Sequence, residues 1–415
     1  MIKFEKFTLD NGLRVIVHTD NATPMVCMNI LYDVGARDED PEKTGFAHLF
    51  EHLMFGGSIN IPSYDEPLQR VGGENNAFTT NDITNYYLTL PSNNVETAFW
   101  LESDRMLSLA FSEKSLEVQR SVVIEEFRQR YLNQPYGDVW LLLKPLAYKV
   151  HPYQWATIGK EIKHIEDATM ENVKAFFNKH YKPNNAIMVL SGDITIDQVK
   201  PLAEKWFGPI PAGPDFKRAL PIEPEQRERR TLTVERDVPV DAIYKVYHMC
   251  SKYDKEYYTV DLMSDILSRG NSSRFYNELI KKQKLFVDVN AYVSGDLDKG
   301  LFVVSGKLVK GVKMEDAEKA IDAELNKIKT HLVDEKELTK VKNKIESTRV
   351  FSEMDIMNKA MSLAMAEHQE SADLANTEIE RYNSVTAEGI KEQANKIITE
   401  QNSSVLYYHS KKSKV

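Results

Sequence analysis

The sequence predicts an α+β protein of two homologous domains, each a mainly antiparallel sheet packed with helices. Its 415 residues are too many for one ordinary core and suit two domains of about 200 residues each. Strand-like and helix-like segments are mixed without regular β–α–β alternation, which favours α+β layers over a parallel sheet. The second half also repeats the order of elements in the first, and this order indicates a weak internal duplication.

The first domain is predicted to cover residues 1–210. Apolar alternation on both sides of Asn11-Gly12 is typical of a β-hairpin, and a strand is predicted over 25–35. Apolar residues at helical spacing predict a helix over 44–55, which two glycines end. The other predicted elements of this domain are strands at 76–80, 84–90 and 186–193 and helices at 94–109, from 113 onward, at 170–180 and at 196–207.

The stretch 208–226 holds five prolines and predicts a linker at 211–226. The second domain, predicted at 227–415, begins with strands that resemble the opening of the first. The elements that follow are a helix at 260–268, strands within 284–308, long helices within 314–368 and a strand at 403–409.

Composition excludes several classes of protein. The net charge of −9 gives the chain no electrostatic reason to bind nucleic acid. The two cysteines, Cys27 and Cys250, lie in apolar runs and are predicted to be buried free thiols. No apolar window is long enough to span a membrane, and the first residues lack the features of a signal peptide. We therefore expect a cytoplasmic protein, although a processed mature form would look the same.

The run HLFEH places His48 and His52 one helical turn apart on the same face. This spacing allows two imidazoles to bind one zinc ion. Glu51 lies on that face and is close enough to take a proton from a water molecule at the metal. A catalytic zinc needs a third protein ligand, and either Glu125 or Glu126 on the later helix can supply it.

H-x-x-E-H is the inverted zinc motif, and the chain resembles the family of pitrilysin, insulin-degrading enzyme and mitochondrial processing peptidase. Further motifs in family order extend the resemblance over essentially the whole length: GGENNAFTTNDITNYY, WLESDRM, RSVVIEEF and HPYQWATIG. The resemblance implies a zinc metalloendopeptidase of the short, two-domain type, close to the processing peptidase beta subunit, with one zinc per chain. It assigns Glu51 as the general base and Glu126, 74 residues after His52, as the third ligand.

The resemblance also implies how a substrate binds. Residues 76–79 (Asn76, Ala77, Phe78 and Thr79) match the family's edge strand beside the zinc, to which a substrate peptide adds as an extended strand. Gln119 and Glu125 are then neighbours of the ligand set, and Gln119 stands where the family usually has a glutamate. The family's enclosed chamber implies that the substrates are short peptides or unfolded segments.

One departure from the family concerns the second domain. Self-sufficient members carry an arginine and, seven residues later, a tyrosine that contact the substrate and the developing oxyanion. Those positions fall on Ile280 and Val287, which cannot donate hydrogen bonds. Lys281 or Lys282 can stand in for the cation, but lysine is a poor copy of a bidentate arginine.

This departure predicts a partner. We expect the missing pair to come from a paralogous subunit without zinc, so that this chain is the zinc-bearing half of a heterodimer. A homodimer with slow activity is the alternative. A non-catalytic assembly subunit of the same fold is the rival function.

Overall fold

The computed structural model describes residues 1–214 and 217–411 of the chain. Residues 215 and 216 of the predicted linker and the last four residues of the predicted second domain lie outside the described residues. The chain forms two compact units, each assembled from several segments. Unit 1 comprises Met1–Gln129, Trp155–Leu220 and Arg349–Thr377. Unit 2 comprises Arg130–Gln154, Pro221–Thr348 and Glu378–Val415.

The strands and helices alternate irregularly along the chain. The strands are β1 Glu5–Thr8, β2 Arg14–Thr19, β3 Met25–Tyr32, β4 Glu74–Thr79, β5 Thr84–Pro91, β6 Ala186–Gly192, β7 Arg230–Arg236, β8 Ala242–His248, β9 Phe286–Val293, β10 Leu301–Leu308 and β11 Ser403–Ser410. The helices are α1 Phe46–Leu53, α2 Asp65–Arg70, α3 Val95–Leu107, α4 Glu113–Phe127, α5 Val139–Ala147, α6 Ile162–Glu166, α7 Met170–His180, α8 Ile196–Trp206, α9 Tyr257–Ser268, α10 Met314–Thr330, α11 Glu335–Ser352, α12 Ile356–Gln369, α13 Leu374–Asn383 and α14 Ala387–Ile397.

Each unit contains one mainly antiparallel sheet. The strand order is β1-β2-β6-β3-β5-β4 in unit 1 and β7-β11-β8-β10-β9 in unit 2. Among the described residues, β2 pairs in parallel with β6 and β11 in parallel with β7, and the other strand pairs of the two sheets are antiparallel. If β2, β6, β3, β5 and β4 are matched with β7, β11, β8, β10 and β9, the two orders are identical. The predicted α+β class and the duplication are therefore confirmed, and β4 and β9 are equivalent edge strands.

The helices α5 and α12 are exchanged between the halves of the chain. From the second half, α12 packs its buried Ala360, Leu363 and Ala364 into the same cluster as Cys27 and Ile187 of the unit 1 sheet. From the first half, α5 packs its apolar side chains into a cluster with the unit 2 sheet. The compact units therefore do not follow the continuous boundaries at 210 and 226. As the limits of two homologous halves, those boundaries remain a prediction.

Most predicted elements are present with nearly the predicted bounds, because their apolar periodicity matches the face that each one buries. The Asn11-Gly12 hairpin is confirmed by antiparallel pairing of β1 with β2. The helix predicted over 44–55 is shorter at both ends. Helix α5 was not predicted. It contains Pro145, and proline is disfavoured inside helices because it lacks an N–H group.

Two other sequence predictions can be compared with the structure. Cys27 is fully buried and Cys250 is half-buried, and neither forms a disulfide. Among residues 1–214 and 217–411, no helix combines the length and the apolar character that crossing a bilayer requires.

A cluster of ion pairs joins distant parts of unit 1 at the end of β3. Asp33 accepts from Arg37 at 3.2 Å and from Arg218 at 3.1 Å, and it contacts His368 Nε2 of α12 at 2.9 Å. Arg218 also contacts Asp38 at 2.6 Å. Burial opposes ionisation of Asp33, but His368 and Arg218 outweigh it and hold the pKa of this carboxyl well below its usual range.

We expect Asp33→Asn to lower the free energy of unfolding by about 2 kcal/mol at pH 7, because it removes a carboxylate that accepts from two largely buried arginines. Each arginine keeps a second carboxylate partner, Asp82 for Arg37 and Asp38 for Arg218, which limits the loss. A carboxyl whose pKa is lowered by folding stabilises the protein above its ordinary pKa of 3.8 and loses that effect as the pH falls further. The difference between the variant and the parent should therefore shrink between pH 4 and pH 2. Urea unfolding followed by circular dichroism at several pH values measures it.

Asp167→Asn is the matched control, since Asp167 pairs with Lys163 on the surface with both side chains more than half exposed. Its effect should stay below about 0.5 kcal/mol. If Asp33→Asn lowers the free energy of unfolding as little as the control does, or by an amount that does not change with pH, the stabilising role of Asp33 is contradicted.

Candidate metal centre

Helix α1 presents its polar residues on one side because the other side is buried. Phe46, Ala47, Leu49, Phe50 and Leu53 are all buried. Their spacing leaves residues 48, 51 and 52 on the opposite face, where all three are half-buried. The predicted grouping of the two histidines with the glutamate on one helical face is thus present.

The start of α1 is held by a buried carboxylate that the sequence did not reveal. Glu39 accepts hydrogen bonds from the Gly45 N–H at 2.9 Å, the Ala47 N–H at 2.8 Å and Trp155 Nε1 at 3.0 Å. It thereby satisfies N–H groups in the first turn, which have no partner within the helix. Burial raises the pKa of the Glu39 carboxyl to about 8 despite these donors.

Gly45 has a φ of +88°, and a Cβ atom there would lie 2.6 Å from the carbonyl oxygen of Ile158. The entry into α1 therefore requires glycine. The role of Glu39 could not be predicted from the sequence, because Glu39 is one of several acidic residues in the same loop. Trp155 belongs to the HPYQWATIG motif, whose position next to α1 only the fold shows.

The orientation of helix α4 shows which of the two adjacent glutamates, Glu125 or Glu126, faces α1. Ser112 caps its N-terminus by accepting from the Ser115 N–H at 3.0 Å, and Val123 and Phe127 are buried. Successive residues are rotated by about 100° on a helix, so only one of the two carboxylates can face α1. Glu126 faces it, whereas Glu125 is exposed.

His48, His52 and Glu126 form a compact group of metal-binding atoms. Glu126 Oε2 lies 3.3 Å from His52 Nε2 and 3.7 Å from His48 Nε2. The two rings are 4.8 Å apart and nearly perpendicular. Within the described ranges 1–214 and 217–411, no other group of three or more histidine, cysteine, aspartate or glutamate side chains is arranged to hold a metal ion.

These distances fit zinc. With bonds of about 2.0–2.2 Å in a tetrahedral site, neighbouring ligand atoms lie roughly 3.3–3.6 Å apart. Two imidazoles and one carboxylate are also a donor set that catalytic zinc sites use, and three protein ligands leave one position open. His48, Glu126 and His52 are only 13%, 15% and 24% exposed, so the group is mostly shielded from solvent but still accessible to it.

Glu51 is joined to the edge strand of the unit 1 sheet. Thr79 Oγ1 donates to Glu51 Oε2 at 2.6 Å. Thr79 is the last residue of β4, which pairs with β5 on one side only. The predicted substrate segment therefore lies at an open sheet edge beside the candidate centre, where Asn76 Oδ1 accepts from the Ala77 N–H at 2.8 Å and Phe78 packs towards the sheet core.

The remaining predicted site residues lie elsewhere. Gln119 is half-buried on α4, two turns before Glu126. Glu125 contacts Arg128 and Gln129 on its own side of the helix, so it does not stand beside the ligands as predicted. The helical rotation between adjacent residues is the reason.

In unit 2, Ile280 and Val287 occupy the positions of the family's arginine and tyrosine, and Lys281 and Lys282 are the neighbouring cations. Ile280 packs against the core, and Val287 on β9 is 63% exposed. Lys281 Nζ lies 5.1 Å from the centre of the Tyr276 ring, and Lys282 pairs with Glu278.

Comparison with known proteins decides the family. The family model described as insulinase, peptidase family M16, matches residues 14–159, and the model described as the peptidase M16 inactive domain matches residues 167–345. The zinc protease PqqE of Helicobacter pylori is 32% identical over 348 residues, covering 82% of this chain and 78% of that protein. The chain belongs to peptidase family M16. The predicted resemblance is confirmed.

Other M16 proteins agree in sequence and fold. The Arabidopsis thaliana protein named probable mitochondrial-processing peptidase subunit beta is 23% identical, with 82% of this chain and 66% of that protein covered. The crystal structure of a protease from Helicobacter pylori superimposes with a TM-score of 0.92 at 28% identity, covering 98% of this chain and 100% of that one. This M16 chain therefore has relatives named zinc proteases and shares their two-domain fold.

Proposed function

We propose that this M16 chain is a zinc-dependent metalloendopeptidase that hydrolyses short peptides or unfolded segments. The observation that carries the proposal is the group of His48, His52 and Glu126 donor atoms on the same helical face as Glu51. His48, His52 and Glu126 bind one zinc per chain. A zinc ion held there supplies a Lewis acid that activates water and polarises a carbonyl group.

Glu51 acts as the general base and acid. It takes a proton from the attacking water and gives it to the leaving amine. The substrate adds to the open side of β4 along residues 76–79, and main-chain hydrogen bonds hold it extended next to Glu51. The adjacency of this strand to Glu51 supports that arrangement.

We further propose that the chain works as the zinc-bearing half of a dimer with a paralogous subunit that lacks zinc. Neither Ile280 nor Val287 can donate a hydrogen bond to a developing oxyanion, and such a donor commonly contributes about 3–4 kcal/mol to catalysis. A relative named as a subunit of the processing peptidase supports a partner. A homodimer remains the alternative, and a cytoplasmic location remains a prediction.

The test is hydrolysis of a mixed library of quenched peptides by the purified chain, with zinc content read on the same sample. Zinc with little hydrolysis that a copurifying zinc-less paralogue restores supports the heterodimer. Brisk hydrolysis by the chain alone supports a self-sufficient peptidase and overturns the need for a partner. Bound zinc with no hydrolysis, both by the chain alone and after addition of the paralogue, favours a non-catalytic assembly subunit.

A further inference from the structure

The side chain of Thr79 connects the edge strand to the proposed base. Its hydroxyl donates to Glu51 Oε2 at 2.6 Å, a short hydrogen bond of the kind that a charged acceptor makes. A hydroxyl hydrogen can be donated to one acceptor at a time. The bond therefore fixes one carboxylate oxygen of Glu51, Oε2, relative to the edge strand.

Thr79 is itself rigidly placed. Its Cβ is branched, which restricts χ1, and its partner in the β4–β5 register is Thr84. Thr84 is fully buried, and its hydroxyl donates to the Val34 carbonyl at 2.9 Å. Because β4 is anchored in this way, the position of the Thr79 hydroxyl is set by the sheet and not by the metal ligands.

Glu51, in contrast, has three side-chain torsions and is only half-buried. The carboxylate of a side chain with three torsions can occupy several rotamers, and each fixed contact reduces their number. Displacement of a reacting group by about 1 Å commonly lowers a rate on the order of 100-fold. A fixed hydroxyl at one oxygen removes much of that freedom.

We infer that Thr79 is a positioning residue that orients Glu51 for proton transfer, in addition to offering its main chain to the substrate strand. This inference rests on the proposed function. The two roles of Thr79 are separable, because the main chain contributes to substrate binding and the hydroxyl to the chemical step.

Two variants separate these roles. Thr79→Val keeps the shape and the strand preference of threonine but removes the hydroxyl, and Thr79→Ser keeps the hydroxyl. We expect Thr79→Val to lower kcat about 10- to 100-fold with KM changed less than about threefold, and Thr79→Ser to retain at least about a third of the parent kcat. Zinc content should be unchanged in both variants.

Unfolding of the metal-free chain tests the contact without activity. Thr79→Val should lower the urea midpoint in the parent background, and this decrease should disappear in the Glu51→Ala background. An equal shift in both backgrounds would contradict the coupling between the two side chains.

The kinetic outcomes distinguish the inference from the function on which it rests. Hydrolysis that Glu51→Gln abolishes but Thr79→Val leaves intact would overturn the inference alone, as would equal losses in Thr79→Val and Thr79→Ser or a change confined to KM. A chain that hydrolyses nothing, alone or with its paralogue, would overturn the proposed function and the catalytic role of Thr79 together.

Discussion

Replacing Glu51 by glutamine should abolish peptide hydrolysis while leaving zinc bound. Glutamine has nearly the same shape and can still accept the Thr79 hydrogen bond through its amide oxygen, but it cannot take up a proton from water. General acid–base catalysis typically contributes 10²–10⁴-fold, so we expect kcat to fall about 1000-fold. Peptide hydrolysis and metal content, measured on the same preparation, test this expectation.

The comparison of metal content is the essential control for this variant. Glu51 is not one of the three clustered donors, so its replacement should not release zinc. Turnover within tenfold of the parent would exclude Glu51 as the base. Loss of zinc together with loss of activity would instead make Glu51 part of the metal-binding set.

The second large effect is expected at Glu126. Glu126→Gln removes the one negative charge from the ligand set, and an amide oxygen is a weaker zinc ligand than a carboxylate. We expect zinc affinity to fall at least about 100-fold, since changes beyond the ligands already cost 10- to 100-fold, and hydrolysis to disappear with it. Competition against a chelator measures the affinity.

Glu125→Gln provides a control with the same change of charge one residue away. The Glu125 side chain is 55% exposed and contacts Arg128 and Gln129 of its own helical region. Its replacement should change zinc affinity less than about twofold. Equal losses in the two variants would mean that the effect is one of overall charge and not of ligation.

These two glutamates also show what the sequence could and could not predict. The HLFEH helix was evident because histidine spacing and apolar spacing agree with one helical period. The residues alone left Glu125 and Glu126 equivalent, and the family resemblance favoured Glu126. Their rotation on α4 is set by which of its apolar residues are buried, and that depends on the packing of the whole unit.

Other features could not be predicted because their partners are far apart in the chain. The ion pairs of Asp33 depend on residues 218 and 368, and Glu39 holds α1 through backbone N–H groups that no side-chain pattern reveals. The exchange of α5 and α12 was also hidden, since an apolar helical face does not specify the sheet on which it packs. The duplicated strand order, in contrast, was visible from the order of elements alone.

The exchange of α12 has a consequence for synthesis of the chain. The last strand of the unit 1 sheet ends at Gly192, but the helix that covers one face of this sheet spans Ile356–Gln369. At about 5–20 residues per second, a ribosome needs roughly 9–35 s to reach the end of α12. During that time the apolar face formed by Ile16, Cys27, Leu31 and Val189 lacks the helix that covers it in the folded chain. We therefore expect the nascent chain to expose, until α12 emerges, an apolar surface of the kind that chaperones bind.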